Sequence, residues 1–394
     1  MKILQVHNFY QHPGGEDHVF AAEHELLINH GHQVTRYQAD NDDLSQMSGV
    51  RAALATHWNG DTYRTIRGLL AEQQPDIIHS HNTFPLISPS LYYAAAAEHV
   101  PVIQTLHNYR LICPGANLYR DGHVCEDCVG SLIPYGAVLH RCYRNSLPAS
   151  MVSASMLASH RVAGTWTSKV HTYLTLTNFA RNKFIQGGLP AEKVVVKPNF
   201  LRSDPEPGQG DGGYAFFAGR ICEEKGVRTL LEAWRILHLR SQNAISLKIA
   251  GDGPLLEWGR NFSAPIPGVD WLGRLPHDQI MEHTRRAHFL ICPSLYHEGG
   301  PLTIIEAFGC GTPVIASDLA SMNEFVCDGV NGFRFRMGDA EHLAERIEFL
   351  LAHSELIPAL RNAARVSYLE NYTAERNYAL LMKIYTNALR TKSA

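Results

Sequence analysis

Two glutamates, Glu298 and Glu306, flank a glycine pair and a proline in the segment SLYHEGGPLTIIEAFGCGTPVIASD. The apolar periodicity after Pro301 predicts a helix that begins at that residue, because proline has no N–H to lose and its fixed φ suits a first helical position. Such a helix aims the unpaired amides of Leu302 and Thr303 at the preceding loop, where Gly299 and Gly300 let an anion come close. A diphosphate could bind there. Glu298 then stands before the helix and Glu306 more than one turn inside it, so the two carboxylates can address separate parts of one extended ligand, a ribose diol and a sugar hydroxyl. The same spacing also fits an acidic residue that complements a helix dipole together with a glutamate satisfied in the core.

Arg220 and Lys225 lie in FAGRICEEKGVRTLLEAW, directly after an apolar strand-like run. Taken singly each reads as a solvated surface cation. The tight Gly-Arg turn after the run shifts that reading, since departure of a nucleotide diphosphate builds negative charge that fixed cations and helix amides stabilise. Gly14 and Gly15 follow the first apolar run, where a missing Cβ lets backbone approach a phosphate or sugar; an ordinary loop fits as well. Neither this loop nor GDGPLL, with Gly251 and Gly253, completes a G-x-G-x-x-G, which disfavours a nicotinamide-dependent dehydrogenase. His107 ends the run VPVIQTLHN, while His79 and His81 alternate within PDIIHSHN and read as structural, with no third metal ligand at suitable spacing.

Of the eight cysteines, Cys222, Cys292, Cys310 and Cys327 sit singly in mostly apolar segments and read as core filling. Cys113, Cys125, Cys128 and Cys142 fall close together, a C-x2-C pair with a further thiol on each side. Four thiolates can hold a structural zinc; reduced, unligated thiols are the alternative, and a disulfide is disfavoured in a reducing compartment. The segment follows His107 directly, so it is placed on the acceptor side of the site.

The elements that must position these residues are legible as alternation. KILQVHNF, PDIIHSHN and VPVIQTLHN are short apolar runs, with helix patterns over 17–30 and 61–73 between them. Strands separated by helices of that length form right-handed βαβ units of a doubly wound parallel sheet. Ligands sit at the carboxyl ends of such strands, which puts His7, Asn8, His79, His81, His107 and Asn108 on one edge. LRSDPEPGQGDGG, within 200–213, reads as an exposed linker. The pattern restarts with YAFFAGR, SLKIAGDG, VDWLGR, AHFLICPS and TPVIASD, and from Glu341 onward the chain reads as helices.

A chain of 394 residues suits two domains better than one core. With 45% hydrophobic and 19% charged residues it is globular, and a net charge of −3 gives no basic field for nucleic acid. No stretch approaches the roughly 20 apolar residues of a membrane span, and Met1 to Val6 is too short for a secretory leader. The expectation is a cytoplasmic protein that meets membranes at most peripherally.

Taken together, the ordered motifs resemble the retaining glycosyltransferases of GT-B fold, family 4 (group 1), whose hallmark is two glutamates with seven residues between them, here Glu298 and Glu306. FAGRICEEKG is similar to the family's GR…KG motif. KIAGDGP, VDWLGRLP, FGCGTPVIASDLASMNEFVCDGVNGF and the amino-terminal MKILQVHNFYQHPGGEDHV fall in the family's order. The resemblance implies an α/β architecture of two Rossmann-like domains facing across a cleft: 1–200 for the acceptor, with an insert over 113–142, 201–371 for a nucleotide sugar, and 372–394 as a helix crossing back to the first domain. It implies Arg220 and Lys225 as diphosphate cations that replace a catalytic metal, and His107 as the histidine presented to the donor sugar. With these go Gly14, Gly15, Arg274, Leu275, Glu298 to Thr303 and Glu306 as donor contacts. The tail SYLENYTAERNYALLMKIYTNAL offers Tyr368, Tyr372, Tyr378, Leu380, Leu381 and Ile384 as its crossing surface. The implied activity moves a hexose, with retention, from a UDP-sugar of the UDP-glucose type, or a GDP-sugar, to a saccharide or lipid-linked saccharide in polysaccharide synthesis. No cofactor is implied beyond the zinc alternative. A sugar-nucleotide epimerase or phosphorylase of the same fold is the runner-up, and a non-catalytic nucleotide-sugar-binding subunit is the reading from another class.

Overall fold

Alternating apolar strands and amphipathic helices can bury both faces of a sheet only by winding helices onto each face, and the chain does this twice. The computed structural model describes residues 1–11, 14–241 and 245–392, so His12 and Pro13 of the amino-terminal loop lie outside the described residues. In chain order the strands are β1 (Lys2–Phe9), β2 (Gln33–Asp40), β3 (Ile77–Asn82), β4 (Val102–Leu106), the hairpin β5 (Tyr119–Arg120) and β6 (His123–Val124), β7 (Thr172–Thr175) and β8 (Val194–Val196). They continue with β9 (Tyr214–Ala218), β10 (Ser246–Ala250), β11 (Val269–Gly273), β12 (Phe289–Cys292), β13 (Val314–Ser317) and β14 (Gly332–Phe335).

Two compact units result. The first comprises Met1–Leu118, Cys125–Arg202 and Ala374–Ala394, and the second Tyr119–Val124 and Ser203–Thr373. The first holds a six-stranded sheet in the order β2-β1-β3-β4-β7-β8, and the second another six-stranded sheet, β11-β10-β9-β12-β13-β14, with parallel pairing throughout both. These are the two Rossmann-like domains of a GT-B fold. Every residue of β3 and of β4 is buried, as expected for central strands covered on both faces. Local signals set the helix ends. Asn59 accepts from the amides of Asp61 and Thr62 to start the helix Gly60–Gln73, and Asp17 reaches back to the amide of Gly14 at 2.7 Å to start Gly15–Asn29.

The segment expected as an exposed linker behaves otherwise. The chain passes into the second unit between Arg202 and Ser203, and the residues beyond are fastened to that unit by hydrogen bonds from the amides of Gly208 and Gly212 to the carbonyls of Cys310 and Arg286. A Cβ at Gly208 would stand 2.0 Å from the Arg285 carbonyl oxygen, so glycine here serves close packing rather than flexibility. Polar composition conceals this, because the contacts are backbone hydrogen bonds and ion pairs of its acidic residues, such as Asp204 with Arg365 at 2.8 Å, to partners distant in the chain.

The last helix, Ala374–Lys392, belongs to the first unit. Leu381, Ile384, Tyr385 and Ala388 form a helical stripe packed against Ile3, Leu27, Ile77, Ile103 and Leu174. Tyr378 bonds His32 Nε2 at 2.9 Å and stacks on His30 with ring centroids 3.6 Å apart. Tyr368 and Tyr372, expected to share this surface, lie instead in the second unit, where Tyr372 stacks on Phe325. They precede the helix break at Thr373, and the helix Ile357–Asn371 packs within its own unit, against the helix Leu302–Gly309. Among the described residues no helix is long and apolar enough to cross a membrane. Leu381→Ala should remove about 2–5 kcal/mol from the first unit, the usual loss for a fully buried leucine. Calorimetry should show the melting transition of that unit falling while the other stays in place.

Candidate functional site

In the second sheet the strand order reverses between β9 and β12, with β10 and β11 built out on one side and β13 and β14 on the other. Loops diverge at such a point and leave a crevice at the carboxyl ends of the strands. Arg220 and Lys225 follow β9, and Glu298 follows β12. Gly226 turns the chain after Lys225 at φ +71°, and a Cβ there would lie 1.8 Å from the Pro293 carbonyl oxygen, so only glycine lets the two loops approach. The amide of Leu295 donates to the Glu224 carbonyl at 2.8 Å, and Lys225 Nζ comes to rest 2.7 Å from Glu298 Oε1. Ser294 donates its hydroxyl to the same carboxylate oxygen, and Nζ lies 5.7 Å from the centre of the Tyr296 ring. Burial is the largest influence and works against the Lys225 charge, but Glu298, joined by Tyr296 and Cys292, outweighs it and raises the pKa. The same surroundings push the Cys292 thiol up to about 12, through burial first and Glu298 second. Lys225 therefore keeps its charge, and the thiol stays neutral.

The helix after Glu298 spans Leu302–Gly309. Pro301, expected as its first residue, is the N-cap: its φ of −69° is helical, but its ψ of 107° is extended. The first intrahelical bonds run from the amides of Ile304 and Ile305 to the Pro301 carbonyl, and no side chain caps the end. Among the described residues Leu302 and Thr303 thus carry open donors at the positive end of the helix, beyond the half-buried Gly299 and Gly300. Glu306 is buried and takes an unforeseen partner, His277 Nε2, at 2.8 Å from its Oε1. Arg220 and Arg274 are exposed, and among the described residues neither guanidinium has a carboxylate partner; Leu275 is half-buried.

In the first unit the order reverses between β1 and β3. Gly14 does not present a free amide, because Asp17 takes it while also bonding His7 Nε2 at 2.7 Å. A Cβ at Gly14 would meet nothing within 4 Å, so packing does not demand glycine there; Gly15 is the first residue of the helix. His107 follows β4 and lines a cavity with Asn82, Phe84, Asn108 and Arg110. Its pKa lies well below the usual histidine value, through burial first and then the neighbouring His81. Nearby, Asn108 Nδ2 donates to Tyr10 Oη at 3.2 Å and to Glu16 Oε2 at 3.3 Å. Burial, with Asp17 beside it, pushes the Glu16 carboxyl up to about 8.

Beneath these residues lies a cluster that sequence spacing does not reveal. Glu23 Oε1 is 2.7 Å from His79 Nδ1 and 3.1 Å from His81 Nε2, and Lys197 Nζ is 3.2 Å from Glu23 Oε2, with all four side chains buried. Among the described residues Glu23, His79 and His81 are the group whose donor atoms fall within 4.8 Å of one another, as a metal site would need. The Lys197 ammonium already supplies the positive charge that such a carboxylate requires. The four cysteines form a separate neighbourhood: Cys128 is buried, and its thiol is pushed up to about 11 by burial and by Cys113, Cys142 and Cys125.

Residues 15–199 match the glycosyl transferase 4-like domain, and residues 203–367 match the glycosyl transferases of group 1. The chain belongs to the group 1 glycosyltransferases. It is 24% identical to the glycogen synthase of Mycobacterium tuberculosis over 329 residues, covering 80% of this chain and 70% of that one. Its fold matches the sucrose-phosphate synthase of Thermosynechococcus elongatus with a TM-score of 0.72 at 15% identity, over 99% of this chain and all of the other. Anabaena HepE, solved in complex with UDP and glucose, matches with a TM-score of 0.69 at 16% identity, over 98% of this chain and 100% of that chain.

In this glycosyltransferase the residues that sequence reasoning missed are mostly partners: Ser294 and Tyr296 for Glu298, His277 for Glu306, and Glu23 and Lys197 for the histidines. Glu23 carried a signal, since it falls on the apolar stripe Val19, Phe20, Leu26 and Leu27 of an amphipathic helix. The hydrogen bond to Glu306 raises the His277 pKa, and burial only partly opposes it. The stabilisation from the charged pair is therefore complete below the unfolded-state value and fades as pH rises through the higher folded value; His277 is largely exposed, so the effect is small. Glu306→Gln should return the His277 titration, followed by NMR, towards its ordinary pKa.

Proposed function

We propose that this enzyme is a retaining hexosyltransferase that takes its sugar from a nucleotide diphosphate sugar, of UDP-glucose type, and passes it to a saccharide or lipid-linked saccharide in polysaccharide assembly. The observation that carries the reading is the convergence, at the switch point of the second sheet, of Lys225, Glu298, the exposed Arg220 and the open amides of Leu302 and Thr303. Two cations and two backbone donors at one crevice suit a diphosphate, and a fixed ammonium beside it stabilises the charge that grows on the leaving oxygen. Glu306, one turn deeper in the same helix, is assigned to the ribose and Glu298 to the transferred sugar. Arg274, Leu275, Gly299 and Gly300 complete the donor contacts. HepE, with UDP and glucose bound, supports the choice of donor, and glycogen synthase supports a growing saccharide as acceptor.

In the first unit His107 is the residue assigned to the donor sugar, with Gly14 and Gly15 at the loop after β1. Glu16 is the carboxyl nearest in character to a glycosyl nucleophile, but a pKa of about 8 leaves it mostly protonated at neutral pH. Retention is accordingly assigned to attack by the acceptor on the face that the diphosphate leaves, without a glycosyl-enzyme intermediate. The protein's cations take the part a divalent metal would play. The enzyme is read as cytoplasmic, with any membrane contact peripheral.

Lys225→Ala and Arg220→Ala should each slow transfer by about two to three orders of magnitude, the size expected for losing one stabiliser of developing charge. Glu306→Ala should weaken UDP binding measured by calorimetry, whereas Glu298→Ala should lower turnover with UDP affinity nearly kept. Parental UDP affinity in the Glu306 variant would withdraw its ribose assignment. The sulfurs of Cys113, Cys125, Cys128 and Cys142 do not stand within the 4.8 Å of one another that a preformed site would show. For these cysteines we assign one structural zinc that would draw the four together as thiolates, against the burial that otherwise keeps Cys128 protonated. Elemental analysis of washed, active protein should find about one zinc per chain, and metal-free active protein would return the cluster to ordinary thiols.

A further inference from the structure

The buried cluster under His107 has a direction. Glu23 is fully buried, and its pKa is held well below the carboxylate range: burial opposes the charge, but His79, Lys197 and His81 outweigh it. An ionised carboxylate only accepts hydrogen bonds. His81 Nε2, 3.1 Å from Glu23 Oε1, must therefore carry a proton. Burial, partly offset by Glu23, brings the His81 pKa down to about 4, so at neutral pH the ring holds one proton only. Its Nδ1 is then a lone pair. That atom lies 3.0 Å from His107 Nε2, with the two rings nearly parallel at 20° and centroids 5.2 Å apart. Two lone pairs cannot share that distance, so His107 Nε2 must be the donor. His107 is also neutral, and its single proton is thereby placed on Nε2 and withheld from Nδ1.

We propose that Glu23, acting through His81, is a positioning residue that fixes His107 as the Nε2–H tautomer, leaving Nδ1 as a hydrogen-bond acceptor for a hydroxyl of the transferred sugar. The assignment of the hydroxyl rests on the functional reading above; the tautomer does not. Lys197 anchors the far end of the relay, and its Nζ is in turn held by Asn377 Oδ1 at 3.2 Å. His79 is a side branch. It bonds Glu23 and the Tyr385 hydroxyl through Nδ1, both at 2.7 Å, and Thr105 through Nε2 at 2.8 Å; its ring packs on His81 with centroids 4.5 Å apart, and among the described residues it makes no hydrogen bond to His107. A histidine that must accept rather than donate distinguishes a sugar hydroxyl from a phosphate or carboxylate oxygen, which would need a donor at the same place.

The test is a direct reading of the proton. Long-range proton–nitrogen correlation spectra of histidine-labelled full-length protein at neutral pH, assigned with His107→Ala, should show the His107 Nε2 as the protonated nitrogen and Nδ1 as the bare one. His81→Leu removes the acceptor and should let the His107 protons distribute between both nitrogens, with kcat lowered about tenfold, roughly one hydrogen bond's worth, and KM for the donor changed less. His81→Asn can place Oδ1 where Nδ1 stood and should recover part of the tautomer preference and of the turnover lost in the leucine variant, but less than the parent, because its amide has no atom that reaches Glu23; recovery to the parental level would overturn the role of Glu23. A parent protein with His107 protonated at Nδ1 overturns the proposal whatever its activity, and needs no variant to fold. A parent with the proton on Nε2 whose His107→Ala form transfers sugar at full rate supports the relay and overturns the sugar-facing assignment instead.

Discussion

An ionised carboxylate with no access to water has to be surrounded by groups that hold its charge, and Glu23 imposes that requirement on the whole first unit. The partners come from every layer around it: His79 and His81 from β3, Lys197 from the end of β8, and through them Thr105 of β4 and Asn377 and Tyr385 of the last helix. Removing one partner from a buried pair typically costs about 3–5 kcal/mol, because the other charge is stranded. The sheet order, the position of the helix Gly15–Asn29 over the sheet and the return of the chain at Ala374 are thus coupled through one side chain. The apolar stripe of Leu381 and Ile384 supplies area, and the polar links of Tyr385 and Asn377 supply register.

The second unit solves the same electrostatic problem differently. Lys225 and Glu298 neutralise each other at the rim of the crevice, where the ammonium is about a quarter exposed and the carboxylate nearly buried. Such a pair can be opened by a ligand that offers the lysine another anion, whereas the Lys197–Glu23 pair cannot be reached. Placement on either side of the switch point matters here. Loops after β9 and β12 leave in opposite directions, so a lysine from one and a glutamate from the other meet only at the strand ends.

Much of this was legible in the sequence. Parallel strands, the two-unit division and the carboxyl-end loops follow from apolar runs separated by helix-length segments, and the motifs fall on those loops. What stayed hidden has physical reasons. Lys197 and Glu23 are far apart in the chain and meet only through the strand order. The stretch within 200–213 looks like a free linker because its attachments are backbone hydrogen bonds and ion pairs to residues far along the chain, which composition does not record. Pro301 reads as the first helical residue on its φ alone, but proline does not fix ψ, and the chain entering from β12 sets it at 107°. His277 occupies the first turn of its own helix, and nothing in its surroundings marks it as a partner of Glu306.

The two units therefore divide the polar work by when it is completed. In the first, carboxylate, ammonium and imidazoles are mutually satisfied on folding, so the protonation state of the last member, His107, is set before any ligand arrives; a group fixed in that way loses little on binding and needs no reorganisation. In the second, among the described residues, Arg220, Arg274 and the amides of Leu302 and Thr303 are left without protein anions, an arrangement that suits a ligand with spread negative charge. A fully satisfied cluster cannot gain from a phosphate, and an incomplete one cannot fix a tautomer. A place for a charged group and a place for a neutral hydroxyl thus call for opposite electrostatic designs, and each unit, taken by itself, has one of them.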